Sequence, residues 1–510
     1  MSPRALPKLV VFALVAVILS ACGGESTSPG PAASADATTA APAAPGSASG
    51  ASPSPVATRP NIVLLLLDDH DAAAFEHMPN VRDLVAARGV TLPNFFITLP
   101  LCCPSRASIL RGQYAHNTGI WRNAPPDGGF ETFYEQKLHE STVATWLDAA
   151  GYRTALYGKF MNGYPETAPA NFMPPGWDEW GAVAGDMGYY NYILNDNGSL
   201  VDYDNAPEDY LTDVIAGKAD RFVRESAASG EPFFLYLPVY APHGPATAAP
   251  RHASLFEDAT APRNPNFDEA DVSDKPRFLR DSPPLTAAQI TEIDADYRAR
   301  LRSLQAVDEL LAGVVGALTE TGELESTYIF VTSDNGWHQG EHRIEKGKQS
   351  PYEESVRVSM MVSGPGIAPG SHADGLAANI DLAPTFAALG GAEVPAFVDG
   401  RSLVPLLRGH SLASWRTAIL FERARRKNEN RDATRTPGFV AVRTARHVYI
   451  EYSSGETELY DLQADPFQLQ NLIPRGDLAL IAGLKTSLAE LEHCQAGACR
   501  AADGGALTIP

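Results

Sequence analysis

Four apolar runs, each closely followed by charged or polar residues, constrain the fold of this chain more than any other feature. They span residues 61–67, 153–157, 232–240 and 327–332. An apolar run without alternation is typical of a strand that is buried on both faces, as in a parallel sheet. Ligand sites in open α/β sheets form beyond the carboxyl ends of the strands. We therefore expect one rim to gather the residues that follow these runs: Asp68, Asp69, Lys159, His243, Asp334 and Asn335.

Residues 101–106, with the sequence LCCPSR, place Cys102 at the start of a predicted short helix. Pro104 suits the first helical turn, and Gly112 can end the helix. The free N–H groups of a helix N-terminus attract an anion, and the guanidinium of Arg106 fits a tetrahedral oxyanion. The pattern indicates a nucleophile that faces an anionic group. Helix chemistry alone leaves a second interpretation open, in which the two adjacent cysteines are buried residues or disulfide partners.

Four residues of the expected rim, Asp68, Asp69, Asp334 and Asn335, offer only oxygen ligands. This hard set suits Ca²⁺ or Mg²⁺ and does not suit zinc. Adjacent carboxylates repel each other, so their burial at one strand end requires a cation. The alternative is a helix cap at the first pair and a turn at the second. Their joint position at strand ends favours the metal site.

The length of 510 residues and the hydrophobic content of 44% predict one large α/β domain and a smaller one. The net charge of −21 argues against nonspecific binding to nucleic acid. It also makes the chain a poor overall match for a polyanion, which must be held by local cations. One basic cluster is a candidate for that role, with a solvated loop as the equal alternative: Arg423, Arg425, Arg426, Lys427, Arg431 and Arg435.

The N-terminal residues 1–22 are typical of an export signal, with basic residues followed by an apolar stretch too short for a comfortable membrane span. The sequence LSAC at 19–22 resembles a bacterial lipobox, which implies cleavage before Cys22 and lipidation of its thiol. The expected product is an extracytoplasmic lipoprotein of the cell membrane, and the alternative is an uncleaved membrane anchor. Residues 23–58 predict a disordered tether with a reach of roughly 30–35 Å.

The remaining residues predict two folded parts, a large domain over 59–405 and a C-terminal α+β subdomain over 406–510. In the first part, residues 141–150 predict a helix with Ser141 as its N-cap. Residues 286–319 predict a long helix, with a break at one of its two glycines left open. The glycines in question are Gly313 and Gly316.

Alternation and turn residues define the C-terminal subdomain further. Residues 438–452 alternate like a half-buried strand, and residues 458–462 can pair with it. Residues 477–492 predict a helix. Two cysteines near the end are close enough for a small disulfide in an oxidising compartment, although spacing alone does not prove it: Cys494 and Cys499.

The motif CxPSR at 102–106, followed by Leu110 and Gly112, resembles the signature of the type I, formylglycine-dependent sulfatase family of the alkaline phosphatase-like superfamily. Arg111 stands where the family usually has threonine, outside the five-residue core. Within the family, the N-acetylglucosamine-6-sulfatases resemble the chain most. The resemblance implies a large mixed, mostly parallel sheet flanked by helices, and a smaller C-terminal α+β subdomain with a short antiparallel sheet.

The resemblance also implies roles for the candidate residues. Cys102 would be oxidised to formylglycine by a maturation enzyme, and its hydrate would attack the sulfur. Lys159, Lys348 and Arg106 would stabilise negative charge on the sulfuryl oxygens, and His243 would protonate the departing alcohol. The family binds one divalent cation, commonly Ca²⁺ with Mg²⁺ as the alternative, through the positions that match Asp68, Asp69, Cys102, Asp334 and Asn335.

One position departs from the family pattern. Many sulfatases carry a histidine two residues after the first lysine, whereas this chain has Met161 followed by Asn162. Asn162 is therefore our candidate for the substrate-binding side chain that steadies the aldehyde hydrate. Two more histidines, His116 and His342, are candidates to line the pocket.

The expected function is sulfate removal from sulfated sugars, with 6-sulfated N-acetylglucosamine or a related glycosaminoglycan-type glycan as the substrate. Two alternatives stay open. Relatives with the same motif and fold cleave phosphodiesters or phosphonate monoesters. A chain that is never matured would instead be a sulfoglycan-binding lipoprotein without turnover.

Overall fold

A computed structural model describes residues 59–410, 415–424 and 435–504. The expected export signal with Cys22, the tether, and four members of the basic cluster lie outside the described residues: Arg425, Arg426, Lys427 and Arg431. Among the helices of the described part, none is both long and apolar enough to cross a membrane.

The described strands form two sheets. In chain order they are β1 (Asn61–Leu67), β2 (Val90–Phe96), β3 (Arg153–Gly158), β4 (Glu179–Ala184), β5 (Tyr192–Asp196), β6 (Ser199–Tyr203), β7 (Phe233–Pro238), β8 (Thr327–Ser333), β9 (Arg357–Ser363), β10 (Ser371–His372), β11 (Ala377–Ala378), β12 (Ala418–Arg423), β13 (Phe439–Thr444), β14 (His447–Tyr452) and β15 (Thr457–Asp461). The large sheet has the order β10-β2-β9-β8-β1-β7-β3-β4-β5-β6, with β11 beside β2. The small sheet has the order β12-β13-β14-β15.

The four apolar runs form the centre of the large sheet. β1 pairs in parallel with β7 and β8, and β3 pairs in parallel with β7. Strands toward both edges include antiparallel pairs, such as β9 with β2 and β5 with β4. The predicted mixed, mostly parallel sheet is confirmed, and the carboxyl ends of its four central strands lie side by side.

Helices cover both faces of this sheet. In chain order the α-helices are α1 (Pro79–Val81), α2 (Cys102–Arg111), α3 (Ala115–Thr118), α4 (Gly129–Glu135), α5 (Val143–Ala149), α6 (Leu211–Ser229), α7 (Arg277–Arg280), α8 (Ala287–Glu320), α9 (Glu353–Val356), α10 (Leu382–Gly390), α11 (Val404–Leu407), α12 (Leu478–Glu492) and α13 (Gly497–Ala502). Alternate residues of β1 enter two cores, one shared with α5 and α10 and the other with α6 and α8. This two-sided burial explains why β1 has no polar alternation.

The structure settles one open point of the sequence analysis and differs from it in two details. The long helix α8 continues through Gly313 and Gly316 without a break, because its other residues pack against the sheet and outweigh the weak helix propensity of glycine. α5 has Thr142 rather than Ser141 as its N-cap. Residues 438–452 are two antiparallel strands joined by a tight turn rather than one strand, since β13 pairs with β14.

The small antiparallel sheet follows the large one in the chain. α12 packs against it through Leu484, Leu488 and Leu491, which are buried in the same core as β12 to β15. After α12, Cys494 and Cys499 are joined by a disulfide with an S–S distance of 2.02 Å. The predicted small antiparallel sheet is thus confirmed.

Candidate active site

Cys102 is the first residue of α2 and is fully buried at the rim of the large sheet. The helix ends at Gly112, whose φ of 67° is left-handed and whose N–H donates to Ser108 O at 2.8 Å. The thiol Sγ lies 2.9 Å from Lys348 Nζ and 3.7 Å from Asp68 Oδ1. The structure therefore brings the expected nucleophile against a cation and a carboxylate of the expected rim.

Three carboxylates converge beside this thiol. Asp68 and Asp69 follow β1, Asp334 follows β8, and oxygens from all three lie within 4.8 Å of one another. The Asp69 N–H donates to Asp334 Oδ1 at 3.2 Å, and Asn335 Nδ2 donates to Asp69 Oδ1 at 2.7 Å. Asp69 Oδ2 is buried and has no hydrogen-bond partner. The parallel pairing of β1 with β8 produces this cluster, because it places their carboxyl ends at one level.

Arg106 approaches the carboxylates from α2. Its Nε donates to Asp334 Oδ2 at 2.9 Å, and its Nη2 lies 3.4 Å from Asp68 Oδ2. Its Nη1 donates to Lys159 O at 2.6 Å, which fixes the end of β3 as well. The guanidinium is fully buried, so it joins three strand ends to the helix that carries Cys102.

Two lysines supply the other cations of the site. Lys159 Nζ forms an ion pair with Asp68, and Lys348 Nζ forms one with Asp69. Lys348 Nζ also lies 3.3 Å from Asn335 Oδ1. Three buried carboxylates are thus matched by Arg106 and these two lysines.

His243 completes the cluster from the loop after β7. Its Nδ1 lies 2.9 Å from Gly244 O, an acceptor, so Nδ1 carries a proton and Nε2 faces the site. Nε2 lies 3.7 Å from Asp69 Oδ2, and the ring stacks on Tyr240 with centroids 4.9 Å apart. Burial lowers the pKa of His243, but the charge of Asp68 outweighs burial and raises that pKa to about 9.

The surroundings of the site shift the pKa values of two carboxylates in opposite directions. Burial raises the pKa of Asp68, but the charges of Lys159 and His243 outweigh it and hold that pKa well below its usual range. Burial lowers the pKa of Lys159, and Asp68 more than reverses this. Burial and the neighbouring charge of Asp68 raise the pKa of Asp334 above its ordinary value. A bound cation would oppose this rise, because its charge favours the ionised carboxylate of Asp334.

These residues fit a divalent cation. The donor set is three carboxylates and one amide oxygen, which is the chemistry that hard cations prefer. Asp69 Oδ2 is a buried acceptor with no donor within hydrogen-bond distance among the described residues. A cation there would satisfy this oxygen and relieve the repulsion among the carboxylates.

The structure places Asn162 against the other cysteine. Its N–H donates to Cys103 Sγ at 3.1 Å, and its Oδ1 lies 3.4 Å from the same sulfur. Burial raises the pKa of Cys103 to about 12, so this thiol stays protonated. The Asn162 side chain is thus held by Cys103 rather than by Cys102.

The two additional histidines lie away from the thiol. His116 contacts Glu422 Oε2 at 2.8 Å and Cys494 O at 2.9 Å. His342 contacts Glu269 Oε2 at 2.7 Å and stacks on Tyr352 with centroids 4.3 Å apart. Neither contact set belongs to the carboxylate cluster.

Sequence reasoning missed Arg300, which supports the site from α8. Its Nη1 donates to Pro242 O at 3.1 Å and its Nη2 donates to Asp69 O, so one guanidinium joins the loops of Asp69 and His243. The guanidinium also lies over the Trp337 ring, 4.9 Å from the centroid. One signal was present, because Arg300 falls at helical spacing on the buried face of α8.

A cysteine at a helix N-terminus, facing carboxylates and cations at the carboxyl rim of a mixed sheet, is suited to the cleavage of an anionic ester. The family described as Sulfatase matches residues 60–392, and the one described as N-sulphoglucosamine sulphohydrolase, C-terminal, matches residues 340–494. The chain belongs to the sulfatase family and is a sulfuric ester hydrolase.

Individual relatives agree with this assignment. The chain is 35% identical to N-acetylglucosamine-6-sulfatase of Homo sapiens over 479 residues, which cover 87% of this chain and 86% of that protein. It is 28% identical to N-acetylglucosamine-6-O-sulfatase of Bacteroides thetaiotaomicron, with 82% and 84% covered.

Solved structures share the fold. A protein in complex with its substrate D-glucosamine-2-N,6-O-disulfate superposes with a TM-score of 0.73 at 25% identity, covering 88% of this chain and 99% of that one. A phosphonate monoester hydrolase from Silicibacter pomeroyi has a TM-score of 0.67 at 23% identity, with 85% and 95% covered. The latter likeness concerns the fold alone. The predicted alkaline phosphatase-like fold is confirmed.

Proposed function

We propose that this sulfatase removes the 6-sulfate of N-acetylglucosamine or of a related sugar in a glycosaminoglycan-type glycan. The observation that carries the proposal is the buried Cys102 thiol between Lys348 and Asp68, in a chain whose family uses this position as its nucleophile. Two relatives named as N-acetylglucosamine 6-sulfatases and a neighbour bound to a 6-O-sulfated glucosamine support the choice of sugar.

Cys102 is proposed to be matured to formylglycine, whose hydrate supplies a hydroxyl nucleophile and an aldehyde that can be regenerated. The buried start of α2 and the nearby Asp68 carboxylate hold this position. A divalent cation, proposed to be Ca²⁺, would be held by the matured residue at 102 together with four oxygen-bearing side chains: Asp68, Asp69, Asp334 and Asn335. It would act as a Lewis acid on the bound sulfate.

The cationic side chains are proposed to bind the sulfuryl oxygens. Arg106, Lys159 and Lys348 already balance the three carboxylates of the rim. With a divalent cation present, positive charge exceeds negative charge, and the surplus stabilises an anionic transition state in a buried site. Fixed donors on helix and strand ends need little reorganisation for this task.

His243 is the proposed general acid. Its Nδ1 proton is held by Gly244 O, which leaves Nε2 directed toward the carboxylate cluster. A proton on Nε2 can pass to the departing alcohol oxygen as the S–O bond breaks. The stacking of the ring on Tyr240 keeps the imidazole in this orientation.

The protein is further proposed to be an extracytoplasmic lipoprotein, anchored through Cys22 and held off the membrane by residues 23–58. The sequence pattern of residues 1–22 supports this, and the Cys494–Cys499 disulfide suits an oxidising compartment. We also propose, from the sequence pattern, that the large domain ends at residue 405 and the C-terminal subdomain begins at residue 406. A maturation enzyme that acts on Cys102 is the implied partner.

Sulfate release tests the proposal against its alternatives. The wild-type protein is expected to hydrolyse N-acetylglucosamine 6-sulfate with kcat/KM more than about a hundredfold above that for a phosphonate monoester or a phosphodiester. Faster cleavage of either phosphorus ester would replace the sulfatase proposal for this chain. Binding of the sugar without release of sulfate by protein from its own cell would favour the sulfoglycan-binding alternative.

A further inference from the structure

A cleft of about 470 Å³ opens beside Lys348, and its wall is basic although the chain carries a net charge of −21. We name it the basic cleft. Among its described lining residues, Glu345 is the one carboxylate. The basic residues that line it are Arg343, Lys346, Lys348, Arg423 and Arg435. Such local charge is what an acidic protein needs to hold a polyanion.

The basic cleft is continuous with the catalytic cluster through Lys348. The Lys348 Nζ atom lies 2.9 Å from Cys102 Sγ and pairs with Asp69. A ligand group bound in the cleft is therefore close to the reacting sulfate without occupying its place.

The cations of the basic cleft differ in their exposure to solvent. Arg343 donates to the backbone carbonyls of Glu269, Ala270 and Ser282, so its guanidinium builds the wall. Arg423 is only 6% exposed and donates to the carbonyls of the chain beyond Arg435. Lys346 and Arg435 are exposed at the mouth, where they can meet a ligand.

A second cleft of about 330 Å³ extends the first. It shares Gln349 and Arg423 with the basic cleft and reaches Leu101, which precedes Cys102. Trp121 also lines it and offers an aromatic surface of the kind that sugars contact. Because the two clefts share lining residues, a ligand with several sugars can extend from one into the other.

We propose that the basic cleft binds a second oxyanion, carried by the sugar next to the one that loses its sulfate. This inference rests on the proposed function, because it assumes that the reacting group is a sugar sulfate. A sulfate and a uronic acid carboxylate are the two sources of such an oxyanion. Lys346 and Arg435 are the residues that distinguish a charged neighbour from a neutral one.

Three disaccharides test this inference, each with a terminal 6-sulfated N-acetylglucosamine. Their second sugar is neutral, sulfated or a uronic acid. The Lys346→Gln/Arg435→Gln double variant is expected to raise KM about fivefold for at least one charged disaccharide and to leave kcat/KM for the neutral one unchanged. The charged disaccharide that responds identifies the oxyanion. The effect should shrink at high salt, since exposed charges are screened.

A matched control removes the same charge elsewhere. Arg88 and Lys137 are exposed basic residues outside both clefts, and the Arg88→Gln/Lys137→Gln variant should leave all three KM values unchanged. Equal changes for neutral and charged disaccharides, or no change for any, would overturn the second-oxyanion inference. Absence of sulfate release from all three by the wild type would instead overturn the proposed function.

Discussion

Two clusters of buried charge in this molecule differ in how completely their carboxylate oxygens are paired. In the first, Arg416 donates through both Nη atoms to Asp381 and through Nε to Asp503. Asp381 also accepts from the N–H groups of Ala378 and Arg401, so each of its oxygens has a partner. This cluster joins Asp381, at the start of α10, to Arg416, which precedes β12, and to Asp503, which follows α13.

The second cluster is the catalytic rim. It holds three carboxylates and three cations, yet Asp69 Oδ2 and Arg106 Nη2 are buried without a hydrogen-bond partner. It also holds the Cys102 thiol in contact with Lys348. Buried charge alone therefore does not mark a functional site. A buried carboxylate oxygen left unpaired beside the proposed nucleophile favours one, because it leaves capacity for a cation and a substrate.

The largest loss of activity should come from the Cys102→Ala variant of the catalytic rim. We expect sulfate release to fall by at least about 10⁴-fold, because the nucleophile is removed, while the melting temperature stays close to that of the wild type. The matched control is Cys103→Ala, which removes the neighbouring buried thiol and should retain most of the activity. Retained turnover in Cys102→Ala would contradict the assigned nucleophile.

Removal of the divalent cation should have the second largest effect on the activity of the catalytic rim. A chelator is expected to lower kcat/KM by at least about a hundredfold, and Ca²⁺ should restore it. Loss of an ion present at a hundred times its Kd should also lower the free energy of unfolding by about 2.7 kcal/mol. The Asp334→Asn variant should respond less, since an amide at this position lacks the negative charge that helps to hold the cation. Identical melting temperatures with and without chelator would argue against the cation site.

The Arg416→Met variant should lose stability and keep its activity, which is the opposite of what we expect for Cys102→Ala. It leaves the buried carboxylate of Asp381 without its cation and leaves Asp503 with Arg401 alone, which is expected to cost about 3–5 kcal/mol of unfolding free energy. The kcat of the folded fraction should not change. Arg446→Met, which breaks an exposed pair with Asp461, is the control and should leave the denaturation midpoint unmoved. A lower kcat with unchanged stability would reverse our interpretation of this cluster.

Among the changes at the catalytic rim, Arg300→Lys should lower kcat/KM the least. Lysine keeps the charge but replaces the two Nη donors to Asp69 O and Pro242 O with one nitrogen on a shorter side chain, so we expect about a tenfold lower kcat/KM. The Ca²⁺ concentration for half-maximal activity should rise as well, which general destabilisation would not cause. Arg298→Lys, on the same helix and bonded to Ala259 O, should behave like the wild type.

The sequence predicted the centre of the sheet and the rim because both depend on local patterns. Uninterrupted apolar runs identified β1, β3, β7 and β8, and the residues after them converge as expected. The strand order and the antiparallel edge strands depend on long-range pairing that no local pattern encodes. Thus β2, interrupted by Pro93 and irregular in register against β9, was not predicted.

The contacts of Asn162 show a second limit. Cys102 and Cys103 are successive helical residues, so their side chains point about 100° apart around α2. Only packing decides which of them faces the rim and which faces Asn162. A motif therefore predicted the nucleophile, while the partner of Asn162 required the structure.

The conversion of Cys102 to formylglycine is best tested by the mass of the tryptic peptide 89–106. For this measurement the protein is isolated from its own cell and alkylated after unfolding. This peptide contains both Cys102 and Cys103, so the second thiol is an internal control. Our account predicts one alkylated cysteine, at 103, and a loss of about 18 Da at position 102, since cysteine oxidation products lie higher in mass. Two alkylated cysteines in a protein that still releases sulfate would contradict formylglycine as the nucleophile.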